Sequence, residues 1–457
     1  MACHLDCTPI CMPTLFVSAG KAVGYGVKAE PVDAVERSKT LGLLGELNVV
    51  ALDDAPATWE AIGSIVRRGR PIRLEGVRTL DDALAQLDRG VSKIVLPAKT
   101  WDSEEAISII GRYKDRFVAI FEADEDTKKV DEEVKIITTV GKYASEFLMT
   151  VKDLASVSDG KSAISSKLKA IAKAAADANV LVGVSGGINT VDQIKAIEKI
   201  GLRPTIGDAL ANGKLEMADL IVPFIRSDRP DKLFTTVVVD EQHVALGLVY
   251  SNAASVREAM RKRAGIYHSR RRGLWHKGLS SGATQDLFEV TLDCDRDALR
   301  FVVRQNGVGF CHLNRYTCWD SDRGVGHLFR TLLDRKQNPV QGSYTNKLLN
   351  KTEMLNAKML EEATEIIEAK DKNHVAAEAA DVLYFASVIC TRAGASWKDV
   401  ENYLDRRSRR VRRRKGDAKP YALELLRKTT AGATPAGAAA AAPAEKDDAA
   451  AAAAGKK

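Results

Sequence analysis

The sequence predicts a multidomain chain: an α/β (TIM-like) barrel, then a β-rich α+β domain, then an all-α bundle and a disordered tail. Three observations predict it. From about residue 14 to 225, short apolar runs alternate with helical patterns. Near Ser227-Asp228-Arg229-Pro230-Asp231 the pattern changes to the twofold alternation of half-buried strands. From Gly326 onward it changes again, to helix. The shifts divide the chain into 1–227, 228–325, 326–406 and 407–457, and 457 residues suit about three domains of roughly 150 residues each.

In the first region the candidate strands are 49–51, 93–96, 117–121, 147–150, 180–184 and 205–206. Candidate helices between them include 80–86, 103–113, 161–176 and 191–200. Such alternation builds a parallel sheet with helices outside. Ser185-Gly186-Gly187-Ile188 follows one strand; Gly207-Asp208-Ala209-Leu210, with Gly213-Lys214, follows the next. Glycine-rich loops after late barrel strands are where phosphates bind. Before the barrel, Cys3, Cys7 and Cys11 are spaced by four with His4 beside them, but Pro9 and Pro13 oppose a regular helix. A disordered or packed terminus is expected there rather than a metal site.

Composition excludes several classes. A hydrophobic share of 45% and a charged share of 28% are those of ordinary globular protein. The net charge of +7 is local: the run 406–415 alone carries eight positive charges. With no aromatic residue inside it to stack on bases, that run reads as a basic solvated linker, and nucleic acid is not an expected partner. Seven cysteines at two places are no disulfide framework and suit a reducing, cytoplasmic compartment. No apolar run approaches the ~20 residues of a membrane span, so no membrane partner is expected.

The second region carries most of the chemistry. Asp293-Cys294-Asp295-Arg296-Asp297 is followed by a strand-like run, 298–305, then by Cys311-His312 and Cys318. On a strand, Asp293, Asp295 and Asp297 would share one face, and three like charges there call for a hard cation such as Mg²⁺. The thiols Cys294, Cys311 and Cys318 suit zinc. Three protein ligands leave a fourth position for water, the catalytic arrangement. Any one cysteine alone would more simply be a small buried hydrophobe. Clustering argues otherwise: no cysteine lies between Cys11 and Cys294, and only Cys390 follows Cys318.

In the third region, helices over 354–370 and 374–392 carry Glu361-Glu362-x-x-Glu365 and Glu378-x-x-Asp381. Carboxylates three apart share a helix side. Antiparallel packing would gather Glu362, Glu365, Glu378 and Asp381, a hard-metal site for Mg²⁺ and phosphates. Two solvated faces are the plainer alternative, but Ala363, Ala377, Ala379 and Ala380 keep the surface small and allow close approach.

The second region resembles phosphoribosyl-AMP cyclohydrolase of histidine biosynthesis. Besides the thiols, Tyr267-His268-Ser269-Arg270-Arg271-Arg272, Leu274-Trp275-His276-Lys277-Gly278 and Ser281-Gly282 are similar to that family's substrate segment. Arg271, Leu279 and His268 stand where it usually has serine, glutamate and an aromatic residue. The resemblance implies substrate contacts by Ser269, Arg270, Arg272, Trp275, Lys277, Gly278, Ser281 and Gly282. It implies zinc-assisted hydrolytic opening of the adenine ring between N1 and C6, with His312 and His268 as candidate proton shuttles. It also implies a homodimer whose three thiols come from two subunits.

The third region resembles phosphoribosyl-ATP pyrophosphohydrolase, whose motifs are Glu-Glu-Ala-x-Glu and Glu-Ala-Ala-Asp-Leu; Val382 replaces the last leucine. The first region resembles the histidine-pathway barrels. Those work with aspartates ending the first and fifth strands, whereas 15–21 has none and the fifth-strand segment retains only Asp159-Gly160. A degenerate barrel kept for phosphate binding or scaffolding is expected. The domain order is that of the trifunctional histidine-biosynthesis proteins, in which a histidinol dehydrogenase domain follows. Here an Ala/Pro/Gly tail follows, so the chain reads as bifunctional, naturally or because a longer product is cut short. The alternatives are a non-catalytic scaffold or a basic nucleic-acid-binding protein with structural metal sites.

Overall fold

The computed structural model describes residues 10–25, 30–101, 104–123, 130–152, 154, 157, 162–319, 322–412 and 416–424. The cysteines Cys3 and Cys7, with His4, lie outside these residues, as do Asp159, Gly160 and 425–457. Two compact units are distinguished: Met1–Lys358 with Leu383–Arg413, and Met359–Val382 with Arg414–Lys457.

In the first unit, β1 (Met12–Ser18) is followed by two short antiparallel strands, β2 (Lys21–Val23) and β3 (Val32–Asp33). Seven parallel strands complete the barrel: β4 (Leu47–Ala51), β5 (Ile72–Glu75), β6 (Lys93–Pro97), β7 (Phe117–Ala123), β8 (Glu146–Val151), β9 (Leu181–Ser185) and β10 (Arg203–Ile206). Closure comes from β10 pairing with β1, Met12 opposite Thr205 and Pro13 opposite Ile206. Helices α1 (Ala34–Leu41), α2 (Pro56–Arg67), α3 (Leu80–Arg89), α4 (Glu104–Arg112), α5 (Val130–Val140), α6 (Ala163–Asp177), α7 (Val191–Lys199) and the short α8 (Asp208–Ala211) connect them. Local sequence sets their ends. Thr79 accepts from the Asp82 amide to start α3, and Gly90, with φ +106°, stops it. Thr190 and Gln193 form a capping box on α7.

The strand β5 was not legible in the sequence. Ile72-Arg73-Leu74-Glu75 is not among the candidate strands; Arg73 is fully buried and pairs with Glu146, which also takes Lys93 Nζ at 2.7 Å and Arg203. These charges sit at the N-terminal ends of their strands and close the barrel floor. Burial is the main cause that brings the Lys93 ammonium down to about 8. Counting β5 corrects the expected strand numbering: Asp159 follows the sixth barrel strand, β8, while the fifth, β7, ends in Glu122 and Ala123.

Next come β11 (Phe234–Val239), β12 (Ala245–Ser251), α9 (Ala253–Lys262), β13 (Ile266–Ser269), β14 (Gly273–His276), β15 (Gln285–Leu292) and β16 (Ala298–Gln305). Four strands make a sheet in the order β12-β11-β16-β15, with β11 parallel to β16, and β13–β14 form a separate hairpin. Continuous buried side chains run from the barrel into this sheet. Helix α9 interrupts the expected β character; Asn252 caps it by accepting from the Ser255 amide.

The rest is helical, as expected: α10 (Gly324–Gln337), α11 (Tyr344–Asn350), α12 (Thr352–Glu368), α13 (Lys372–Ala393) and α14 (Trp397–Ser408). By length and composition α13 could cross a membrane, with 22 residues and mean hydropathy 1.2. Glu378 and Asp381 lie within it. A core helix passes the same test, and with those acids inside it α13 is no continuous apolar run.

A second correction concerns the basic run, placed by sequence at the start of a disordered tail. Helix α14 extends to Ser408, and residues 409–412 after it lie on the barrel. Val411 is buried and its carbonyl accepts from Tyr113 Oη at 3.0 Å; Arg412 Nε lies 2.6 Å from Asp88 Oδ2. Arginine stems cover apolar surface well, which sequence charge alone does not reveal. Residues 413–415 lie outside the described set.

Candidate active sites

The first candidate site is built on the β13–β14 hairpin and the loop after β16. The hairpin turn holds 270–272. Ser269 Oγ accepts from the Arg271 and Arg272 amides at 3.3 and 3.2 Å, shaping the turn so that the arginines are exposed. Arg270 stacks over the Tyr250 ring, 4.9 Å from its centroid, with Arg229 also over that ring at 4.5 Å. Trp275 lies against Tyr267, ring centroids 6.1 Å apart. His268 Nδ1 is 2.9 Å from Asn252 Nδ2, a partner that sequence reasoning missed.

After β14 the backbone turns sharply. Gly278 has φ +78°, and a Cβ there would lie 2.0 Å from the Ala283 carbonyl. Only glycine fits. Gly282 donates to the Gly278 carbonyl at 2.9 Å, and Ser281 Oγ accepts from the Ala283 amide at 3.4 Å. The turn delivers Lys277 into the interior, with Nζ 5.2 Å from the Phe310 centroid. Burial lowers the Lys277 ammonium, and the neighbouring Cys318 and Cys311 oppose that shift.

Cys311 is buried and Cys318 is exposed. Their thiols interact: burial, then Cys311, pushes the Cys318 thiol up. A Cys318 thiol whose ionisation is hindered by burial and by its neighbour Cys311, beside an ammonium, is a fit for a soft cation. His312 is exposed, with Nδ1 4.0 Å from Cys311 Sγ. The third expected ligand, Cys294, is exposed in the turn between β15 and β16 and forms no three-ligand group with the other two among the described residues. A single chain therefore assembles two of the three thiols.

The acidic trio needs a different explanation from the one its spacing suggested. Residues 293–297 are not a strand but the turn joining β15 to β16, with Arg296 in the left-handed region at φ +69°. The Asp293 amide and carboxylate both bond Ala298, at 3.1 and 3.0 Å, which closes the turn. Curvature, rather than strand alternation, gathers Asp293, Asp295 and Asp297, so that one ligand atom from each lies within 4.8 Å of the others. Asp295, then burial and Asp293, raises the Asp297 carboxyl.

The second site lies on α12 and α13. Glu362, Glu378 and Asp381 each bring a carboxylate oxygen within 4.8 Å of the others. Glu362 and Glu378 are buried and Asp381 is exposed. Burial, then a hydrogen bond with Glu365, pushes the Glu378 carboxyl up, and Glu378 Oε2 has no partner among the described residues. An orphaned buried oxygen among carboxylates is what a hard cation would satisfy. Glu365 is brought in only as a partner of Glu378; helical spacing foresaw the grouping of Glu362, Glu378 and Asp381. It missed His374, whose Nε2 is 3.3 Å from Glu378 Oε1 one turn away, although the four-residue spacing was readable.

Comparison with known proteins finds two family matches along the chain. Residues 247–320 match the phosphoribosyl-AMP cyclohydrolase family, and residues 325–408 match the phosphoribosyl-ATP pyrophosphohydrolase family. The chain is 50% identical over 207 residues to the histidine biosynthesis trifunctional protein of Komagataella pastoris, covering 45% of this chain and 25% of that protein. It is 48% identical over 223 residues to the histidine biosynthesis bifunctional protein his7 of Schizosaccharomyces pombe, covering 49% of this chain and 54% of that one. The bifunctional protein HisIE of Prochlorococcus marinus subsp. pastoris is 36% identical over 184 residues, 35% of this chain and 83% of its own length. The chain belongs to this bifunctional histidine-biosynthesis family. It nevertheless spans only a quarter and about half of the first two relatives. Both family matches begin after the barrel. A solved tryptophan synthase structure from Pyrococcus furiosus covers 45% of the chain at 14% identity with a TM-score of 0.32, a likeness too low to support an argument.

Proposed function

We propose that this chain performs two consecutive hydrolyses of histidine biosynthesis, its second and third steps. Pyrophosphate is removed from phosphoribosyl-ATP in the helical region, about 326–408, and the adenine ring of phosphoribosyl-AMP is opened between N1 and C6 in the region 228–325. The observation that carries the reading is that each matched region gathers its own ligand set: carboxylates on α12 and α13, and thiols after β16. Disulfide-free thiols suit a reducing compartment such as the cytoplasm.

In the first step Glu362, Glu378 and Asp381 would hold Mg²⁺, which when bound offsets charge on the phosphate oxygens. Glu365, hydrogen-bonded to Glu378, would join that ligand set and orient the attacking water. His374 restrains the Glu378 carboxylate. Water adds to phosphorus, the bond to the bridging oxygen breaks, and pyrophosphate leaves.

In the second step Cys311 and Cys318, with Cys294 of a second copy, would hold zinc, which when bound acidifies a water to near neutral pH. Arg270 and Arg272, presented by the Ser269 turn, grip the phosphate, and Asp293, Asp295 and Asp297 would hold Mg²⁺ beside it. Lys277, Trp275 and the 278–282 turn shape the base pocket. His312, next to Cys311, moves the proton that reaches N1 as the N1–C6 bond breaks; His268, hydrogen-bonded to Asn252, is the second candidate proton shuttle. The test is direct. Purified protein with phosphoribosyl-ATP, Mg²⁺ and Zn²⁺ should release pyrophosphate and then the ring-opened product, and release of neither would sink the reading.

A further inference from the structure

The turn between β15 and β16 carries a cation of its own. Arg296 stands between Asp295 and Asp297, inside the trio that would hold Mg²⁺. A guanidinium pairs readily with a carboxylate, and a carboxylate whose oxygens are so engaged is a poorer ligand for a metal ion. Left free, Arg296 would compete for the acids on either side of it.

It is not left free. Arg296 Nη1 lies 2.7 Å from Glu198 Oε1 on barrel helix α7. The two side chains are 27% and 26% exposed, so their attraction is screened less than that of a fully solvated pair. The Arg296 carbonyl accepts from the amide of Arg226, in the segment that leaves the barrel, at 2.8 Å. These two contacts, one on the side chain and one on the backbone, hold a residue whose φ is +69°. Among the described residues, none of Asp293, Asp295 and Asp297 forms an ion pair with a lysine or arginine.

The placement of Glu198 fits this role better than it fits its own helix. It lies in the last turn of α7 (Val191–Lys199), where the exposed carbonyls make a negative charge unfavourable. An acid there needs a cation from outside, and Arg296 supplies it. Simple adhesion between barrel and sheet is the plainer alternative. Arg257 with Asp219 at 2.6 Å and Arg263 with Glu36 at 2.8 Å are of that kind, and neither arginine is a sequence neighbour of a proposed ligand. Arg296 has one on each side. Glu198 itself lies outside both family matches.

We propose that Glu198 of the barrel is a positioning residue for the ring-opening site. It draws Arg296 away from Asp295 and Asp297 and so keeps the trio anionic for a divalent cation. The inference rests on the reading of this turn as a Mg²⁺ site.

Cys294 lies between Asp293 and Asp295, so its alkylation reports on the turn independently of activity. The full chain, freed of zinc with phenanthroline, is titrated with Mg²⁺ and treated with iodoacetamide, and labelling of the Cys294 peptide is read by mass spectrometry. Mg²⁺ should slow labelling saturably. The near-isosteric Glu198→Gln should raise the Mg²⁺ concentration for half-protection about fivefold, because Arg296 is released onto its neighbours. Removing that cation as well, in Glu198→Gln/Arg296→Gln, should return half-protection to the unsubstituted concentration or below. Adhesion alone predicts no such rescue. No shift in Glu198→Gln, or a shift that the second substitution fails to reverse, would overturn the proposal while leaving the Mg²⁺ site standing. Absence of any protection in the unsubstituted chain would overturn the Mg²⁺ reading of the turn, and this inference with it.

Discussion

The two proposed metal sites differ in how much of each one chain supplies. The helix-pair site draws its grouped acids Glu362, Glu378 and Asp381 from α12 and α13 alone, because residues three or four apart on a helix share a side. The thiol site brings only Cys311 and Cys318 together, and Cys294 stays exposed on the β15–β16 turn. Helical periodicity gathers ligands locally. Turns and loops instead present them outward, where a second copy can complete the set.

The largest expected effect breaks that comparison at the thiol pair. Cys311→Ser should lower ring opening at least ~1000-fold, the loss of several kcal/mol of metal-supplied stabilisation. Pyrophosphate release should continue, so phosphoribosyl-AMP accumulates and is read by chromatography. Glu378→Gln should do the reverse, cutting pyrophosphate release ~100-fold while leaving ring opening of supplied phosphoribosyl-AMP intact. Loss of both activities from either change would contradict two separate sites.

A smaller effect sharpens the contrast between buried and exposed acids. Because its carboxyl is raised on folding, Glu378 keeps the metal-free fold protonated longer than the unfolded chain. Its contribution is therefore present below the ordinary carboxylate value and is lost as pH rises through the higher folded one. The melting temperature in chelator should fall over that window, and Mg²⁺ or Glu378→Gln should abolish the fall. The exposed turn acids should matter less. Asp295→Asn should raise the Mg²⁺ concentration needed for half-maximal ring opening only severalfold, with little change in melting.

Smallest of all is a carboxylate that needs no cation. Asp53 is lowered to about 2 by the Ser18 and Thr58 hydroxyls and the Ala55 amide. A lowered folded value means its contribution is present above the ordinary 3.8 and is lost as pH falls through about 2. Asp53→Asn should flatten that part of an acid melting series, and an unchanged acid limb would contradict the assignment.

Much of this was legible in sequence because periodicity is local. The helices α3, α6, α7, α12 and α13 and the strand β16 follow from spacing, and so does the gathering of Glu362, Glu378 and Asp381. The rest depended on partners far away in sequence. Strand β5 is missing from the candidate strands, and the charge of Arg73 within it is offset by Glu146, contributed by β8. The basic run looked solvated because its seat on Tyr113 and Asp88 is a tertiary contact. Asp293, Asp295 and Asp297 converge as predicted, but through a turn whose left-handed Arg296 no alternation rule foresees.

The most direct test mixes Cys294→Ser and Cys311→Ser chains under conditions that allow subunit exchange, then follows ring opening of phosphoribosyl-AMP. Each variant alone lacks a ligand at every site. A mixed pair pools Cys311 and Cys318 of one copy with Cys294 of the other, restoring one of its two sites, so activity should return on mixing. Mixtures as inactive as either variant, with exchange verified, would contradict a thiol site shared between copies.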